Sequence, residues 1–216
     1  IHMLFYISEF SDDNTLEILR KYCHYTSDRY SYNGKWDGVR TDALKGLCRD
    51  LDSKKLNILL TEFYNSKEYT YKIFFLCGIY QVFISDDSEK SSMVDAEYKK
   101  AKKCLLDDLK NINSLRDAII QASDFPIQIH HSSYYLAYFI QEILSTLPKK
   151  HVLAICFEIL KSEDKKELWD YVLSIIQFIG DEDWLNNLMN FHSVNPDYAD
   201  RVADIIRQWR LKNNAE

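Results

Sequence analysis

The side chains that could perform chemistry are scattered along this sequence, and they form no recognised metal-binding motif. His130 and His131 are adjacent, but neighbouring residues on a helix point about 100° apart. No His or Cys follows either of them four residues later, where Tyr134 and Tyr135 stand instead. A structural zinc site normally needs four suitably spaced ligands. The sequence therefore predicts no metal site and no cofactor.

Nucleophilic catalysis needs a Ser, Cys or Thr beside a base that a third group holds in place. The sequence contains no G-x-S-x-G pattern, and its 5 glycines are too scattered to form a loop that cradles phosphates. These observations favour a protein without enzymatic activity.

Three acidic clusters could contact a partner. They are Asp12 and Asp13; Asp86, Asp87 and Glu89; and Asp181, Glu182 and Asp183. Carboxylates are also common in turns and in the first turn of a helix, so ordinary helix-start chemistry is the alternative explanation. The functional interpretation is a negatively charged rim that attracts a cationic partner.

Aromatic residues are abundant, with 15 Tyr and 4 Trp, and several of them surround one predicted loop. Tyr and Trp often anchor protein interfaces, but packing in the core or in the loop is the preferred explanation for them. The predicted partner-binding residues are Tyr30, Tyr32, Trp36, Asp86, Asp87, Asp181, Glu182 and Asp183.

The charge balance disfavours a nucleic-acid-binding protein. The chain carries 27 basic and 33 acidic residues, a net charge of −6, whereas binding to phosphates needs a basic surface. Lys99, Lys100, Lys102 and Lys103 form one basic cluster, but acidic residues flank it on both sides. We expect this cluster to be a solvated helix face.

The elements that position these residues are predicted to be helices. The chain has only 5 Gly and 3 Pro, where typical usage would place about 26 in this length. The most apolar run, Ile73–Ile84, is 12 residues long, and a membrane-spanning helix needs about 20. We therefore expect a buried core helix there and no contact with membranes.

The cysteines and the chain ends suggest the setting of the protein. Five cysteines, widely spaced and without a C-x-x-C pair, are typical of core thiols in a reducing compartment, so the cytoplasm is predicted. Ile1 and His2 precede Met3, and we interpret them as a remnant of cloning. The predicted domain is a single unit from residue 3 to residue 210.

Apolar periodicity and cap signals predict ten to twelve helices. The segments are Asn14–His24, a helix from Trp36, Lys54–Tyr64, Glu68–Ile84, Met93–Asn111, Ser114–Ala122, His131–Leu147, Lys149–Lys161, Glu163–Ile179, Glu182–Phe191 and Pro196–Arg210. Long helices of one type recur at intervals of 32, 30, 33, 33 and 32 residues, counted from Trp36, Glu68, Tyr98, His131, Asp164 and Pro196. A fixed period of this size is typical of stacked helical hairpins, because one hairpin cannot cover both of its apolar faces alone.

Two segments carry a resemblance to a known repeat. Gly38–Leu47 is followed by Leu51–Leu60, and Leu168–Leu185 is followed by Leu188 and Met189. Both resemble HEAT repeats, in which a first helix, a tight acidic turn and a shorter leucine-rich helix follow one another. The resemblance implies a right-handed α-solenoid, with Gly180 as a left-handed residue that ends a helix. Tetratricopeptide repeats are a second possibility, and the five helices between Trp36 and His131 imply one irregularity.

The size and style of the chain are similar to those of HEAT-like immunity proteins of bacteria. That resemblance implies a cytoplasmic, non-enzymatic protein that neutralises a cognate toxin, with a basic toxin domain as the partner. HEAT-like DNA glycosylases are an alternative, for which Trp36–Asp37 and Trp169–Asp170 would be available. A general adaptor or regulatory repeat protein is a third possibility.

Overall fold

The computed structural model describes residues 12–24, 38–49, 52–83, 88–123, 134–162, 166, 168–180, 184, 187–191 and 198–213. These residues form helices and connections, and no strand occurs among them, so the all-α prediction is confirmed for this part of the chain. The helices with defined bounds are α1 Asp13–Cys23, α2 Gly38–Cys48, α3 Ser53–Asn65, α4 Tyr69–Phe83, α5 Ser88–Asp108, α6 Ile112–Ala122, α7 Tyr134–Ser145, α8 Lys149–Leu160, α9 Trp169–Ile179 and α10 Ala199–Asn213. Residues 184 and 187–191 are also helical.

None of the helices in the described part of the chain combines the length and the apolar character that crossing a membrane requires. The predicted core helix is α4. Its residues 73–79 are all buried, since α4 packs against α2, α3, α5 and α6. A helix that is covered on every side has no polar face to display, which explains its continuous apolar run.

Three helices begin one or two residues before the predicted start. The carboxylate of Asp12 accepts hydrogen bonds from the backbone N–H groups of Asn14 and Thr15, each at 3.1 Å, and so caps α1. Asp52 caps α3, and Asn111 caps α6. In each case a side chain that precedes the predicted start reaches the free N–H groups of the first turn.

One predicted boundary is wrong by several residues. The segment 85–92 was expected to be a loop, but α5 already begins at Ser88. The residues there are polar, and polar residues distinguish poorly between a loop and the exposed first turn of a helix. The start predicted at Glu163 lies outside the described residues, and α9 is regular from Trp169.

The chain divides into two compact units, residues 1–140 and residues 141–216, with the boundary inside α7. In the first unit α1 packs on α2, α2 packs on α3 and α4, and α3 packs on α4 and α5. In the second unit α9 packs on α8 and α10. The prediction of one cooperative domain over residues 3–210 concerns unfolding and stays a prediction.

Two glycines allow close packing. A Cβ atom at Gly78 of α4 would lie 2.8 Å from Cδ1 of Leu44 on α2, and the thiol of Cys48 donates a hydrogen bond to the Gly78 carbonyl at 3.2 Å. Gly180 ends α9 with φ −63° and ψ 157°, so the prediction of a left-handed residue is wrong. Glycine is needed there because a Cβ would overlap the buried indole of Trp184.

Candidate functional site

The predicted partner-binding residues lie outside the described part of the chain. They are Tyr30, Tyr32, Trp36, Asp86, Asp87, Asp181, Glu182 and Asp183. The histidine pair His130–His131 lies outside it as well. Their roles therefore stay predictions, and the geometry of a candidate site comes from other residues.

A buried carboxylate in the first unit binds Arg20 of α1 and His24, the residue that caps the end of α1. Glu62 of α3 is 7% exposed. One of its oxygens accepts a hydrogen bond from Nε of Arg20 at 2.6 Å, and the other lies 2.7 Å from Nε2 of His24. Arg20 and His24 are one helical turn apart and share a face of α1, so one carboxylate pairs with both.

Aromatic and cationic groups surround this pair. The ring centroid of His24 lies 5.0 Å from that of Tyr71 and 5.7 Å from that of Phe75, both on α4. The guanidinium of Arg40, a residue that is 3% exposed, lies 5.9 Å from the centre of the Tyr71 ring. We call Arg20, His24, Arg40, Glu62 and Tyr71 the Glu62 cluster; it joins α1, α2, α3 and α4.

The environment of the cluster changes the acidity of three groups. The hydrogen bond and the charge of Glu62 raise the pKa of Arg20. Burial raises the pKa of Tyr71, although the charge of Arg40 opposes that effect. Burial also raises the pKa of the neighbouring Cys23 thiol well above its ordinary value. At neutral pH Tyr71 and Cys23 are therefore protonated, and Cys23 is a poor nucleophile.

The cluster can bind hydrogen-bonding groups of another molecule. Arg20 offers a permanent positive charge with its side chain 45% exposed, and His24 offers a ring that is 40% exposed. Glu62 and Arg40 lie beneath them and are buried. The cluster thus presents two accessible polar side chains, and both are held by the buried carboxylate of Glu62.

The sequence contained a signal for this cluster that its interpretation missed. Arg40 of α2 is buried, whereas its apolar neighbour Val39 is only half-buried. Glu62 likewise follows Leu59 by one turn on the buried face of α3. A charged residue at a core-facing position of an amphipathic helix must find a partner, because an unpaired buried charge is costly.

Three lysines of the cluster on α5, Lys99, Lys100 and Lys103, are exposed as predicted. Lys102 is half-buried, and its ammonium lies 5.7 Å from the centre of the Tyr98 ring. Lys99 pairs with Asp95 at 2.6 Å, and Lys100 lies 3.9 Å from Glu97. Both lysine side chains are 70% exposed. Exposed pairs one turn apart satisfy their charges locally and contribute little to stability.

The second Trp–Asp pair is divided between core and surface. Trp169 is 2% exposed, and its indole N–H donates a hydrogen bond to the carbonyl of Ile159 at 3.3 Å. Asp170 is exposed. Trp169 therefore serves the packing of α9 on α8, and its ring is not displayed for stacking on a base.

Metal ligands do not converge in the part of the chain that the structure describes, where no group of three or more His, Cys, Asp or Glu residues could hold an ion. Cys23, Cys77 and Cys156 are buried thiols. Burial raises the pKa of Cys156 to about 12. No protein-family model, curated protein or solved structure matches the chain.

Proposed function

We propose that this chain is a non-enzymatic protein-binding repeat protein of the HEAT-like type, and that it neutralises a cognate bacterial toxin in the cytoplasm. The observation that carries the proposal is a recurring offset of about 30 residues between helices that pack side by side. It occurs in both units.

In the first unit the offset relates α2 to α4. Arg40 contacts Tyr71, and Cys48 bonds to Gly78 across 30 residues of sequence. Both contacts advance in the same direction along the two helices, so α2 and α4 run parallel with α3 between them in the chain. Two ion pairs, Asp13 with Lys54 and Arg20 with Glu62, advance in the same direction along α1 and α3, so these two helices are parallel as well.

In the second unit the offset relates α9 to α10. Gln177 bonds to Gln208 across 31 residues, and Arg201 donates to the Ser174 hydroxyl at 3.5 Å. These contacts also advance in the same direction, so these two helices are parallel as well. Helical residues 187–191 lie between α9 and α10 in the chain, so in both units a helix packs beside the second helix that follows it. That is the arrangement of stacked helical hairpins, and it supports an α-solenoid, whose right hand comes from the resemblance to HEAT repeats.

The helices after α4 also contact it. The contacts of α4 with α5 run antiparallel, from Lys72 with Asp108 to Tyr80 with Tyr98. Gln121, near the end of α6, accepts a hydrogen bond from the first backbone N–H of α4, at 2.7 Å. The position of the irregularity among the five helices between Trp36 and His131 stays a prediction.

A stack of this kind presents an extended surface for another macromolecule, and the net charge of −6 suits a basic partner. A glycosylase is supported less well. One of its two Trp–Asp pairs has its Trp in the core, at 2% exposure, and binding to DNA needs a basic surface.

The test uses the protein encoded next to this chain. That protein is expressed in a bacterial host alone and together with this chain, and both are then purified for a binding measurement. We expect the protein encoded next to this chain to arrest growth when it is expressed alone. Co-expression of this chain should restore growth, and the two purified proteins should form a stable complex. A neighbour that is harmless, or that does not bind, would refute the immunity function.

The predicted acidic rim has its own experiment. Asp181→Lys combined with Asp183→Lys should slow association with that neighbour, because attraction between opposite charges speeds encounter. The effect should weaken as salt is added, since the screening length is about 8 Å at physiological ionic strength. An unchanged association rate at low salt would remove Asp181–Asp183 from the binding surface.

A further inference from the structure

His24 is held in one tautomer with one ring nitrogen unused. Nε2 lies 2.7 Å from an oxygen of Glu62. A carboxylate ion only accepts hydrogen bonds, so Nε2 must carry the proton. In the neutral ring Nδ1 is then an acceptor, and no residue in the described part of the chain bonds to it.

The ring is also fixed in direction. Tyr71 and Phe75 pack against it at centroid distances of 5.0 and 5.7 Å. Arg20 occupies the second oxygen of Glu62 at 2.6 Å, so the carboxylate has no freedom to turn away. A side chain fixed in this way loses little entropy when it makes another contact.

The position of His24 favours a contact with a protein. Its side chain is 40% exposed, and Arg20 beside it is 45% exposed. Tyr and Arg are the residue types that dominate binding hot spots, and Arg20 and Tyr71 flank the ring. His24 also comes directly before residues 25–37, which contain the predicted anchors Tyr30, Tyr32 and Trp36.

We propose that His24 is a contact residue for the partner protein, and that its Nδ1 accepts a hydrogen bond from a donor side chain of that partner. The proposal rests on the protein-binding function proposed above. Glu62 is a positioning residue in this scheme, because it acts by holding the tautomer and the direction of the ring. Proton transfer is not required, since the imidazole serves as an acceptor only.

The first experiment needs no partner. Long-range 1H–15N correlation spectra of the intact chain report which ring nitrogen carries the proton. We expect the Nε2–H form for His24 in the wild type and a mixture of forms in Glu62→Gln. His151, an exposed histidine on α8, is the internal reference. An Nδ1–H form of His24 in the wild type, or a ring that carries protons on both nitrogens, would overturn the proposal.

The second experiment measures binding to the protein encoded next to this chain. Gln at position 24 keeps an N–H for Glu62 but lacks the stacked ring and its Nδ1. The loss of one net hydrogen bond predicts a Kd raised by about 2- to 12-fold for His24→Gln. His151→Gln is the matched control and should leave the Kd unchanged, and melting temperatures should show that both variants are folded.

Each outcome has one meaning. If the wild type binds and His24→Gln binds equally well, the His24 contact is refuted while the protein-binding function stands. If the wild type does not bind its neighbour, the proposed function falls and the contact falls with it. If His24→Gln does not fold, His24→Phe, which keeps an aromatic ring against Tyr71 and Phe75, replaces it in the same comparison.

Discussion

Replacing Glu62 by Gln should destabilise the first unit much more than replacing Glu17 by Gln, although both carboxylates pair with Arg20. The two residues differ in burial: the Glu62 side chain is 9% exposed, and that of Glu17 is 71% exposed. They also differ in geometry, since Arg20 lies 2.6 Å from Glu62 but 3.6 Å from Glu17. The comparison therefore holds the cation constant and varies the environment of the anion.

The expected magnitudes follow from these contacts. A hydrogen bond to a charged group contributes about 1.5–3 kcal/mol, and the half-exposed guanidinium reduces that figure because water replaces part of the lost contact. We expect the free energy of unfolding to fall by about 1–2 kcal/mol in Glu62→Gln. An exposed pair contributes about 0–1 kcal/mol, so Glu17→Gln should fall near the lower end of that range.

The assay is urea denaturation at pH 7, followed by circular dichroism, for the wild type and both variants. A change in midpoint at constant slope measures a change in stability. Arg20→Gln, alone and combined with Glu62→Gln, completes a double-mutant cycle for the direct pair. If Glu17→Gln and Glu62→Gln lower the free energy of unfolding equally, or if Arg20 and Glu62 show no coupling, the stabilising role assigned to the buried Glu62 carboxylate is refuted.

Four further predictions concern packing, pH, reactivity and cooperativity. Gly180→Ala should lower the melting temperature more than Gly78→Ala, because its Cβ meets the rigid indole of Trp184 whereas Gly78 meets the end of a leucine side chain; equal shifts in a thermal melt would contradict this. The Thr15 hydroxyl lowers the pKa of Asp12 below its ordinary value of 3.8, so the cap contributes stability above that value and loses it as the pH falls through the folded-state pKa. Asp12→Ala should therefore reduce the melting temperature at pH 7 and converge with the wild type in acid, and a constant difference would be inconsistent with an ionised cap. In peptide mapping after alkylation of the native protein, half-buried Cys104 should react before the buried Cys23, Cys77 and Cys156, and early labelling of Cys23 would show that α1 is not docked. Unfolding followed by circular dichroism and by tryptophan fluorescence should coincide if residues 3–210 form one cooperative domain, and two separate transitions would show that the two units unfold independently.

The sequence by itself determined the helical class and the approximate positions of most helices. Backbone physics within a few residues decides these features, so a shortage of Gly and Pro and an apolar period of 3.6 are sufficient signals. The burial of α4 could be predicted for the same reason, because its apolar run has no polar side. Helix starts were less predictable, since Asp12, Asp52 and Asn111 compete with nearby polar residues for the same free N–H groups.

Only the tertiary structure decided which charged residues meet. Glu62 lies 42 residues from Arg20 and 38 residues from His24 in the sequence, and no local pattern relates positions so far apart. The role of Gly180 was equally hidden, because it depends on where the indole of Trp184 lies and not on the backbone dihedral of the glycine itself. The helices that pack around a carboxylate decide whether it is a solvated surface group or one partner of a buried ion pair. Those helices are distant segments of the chain, so the local sequence does not specify the outcome.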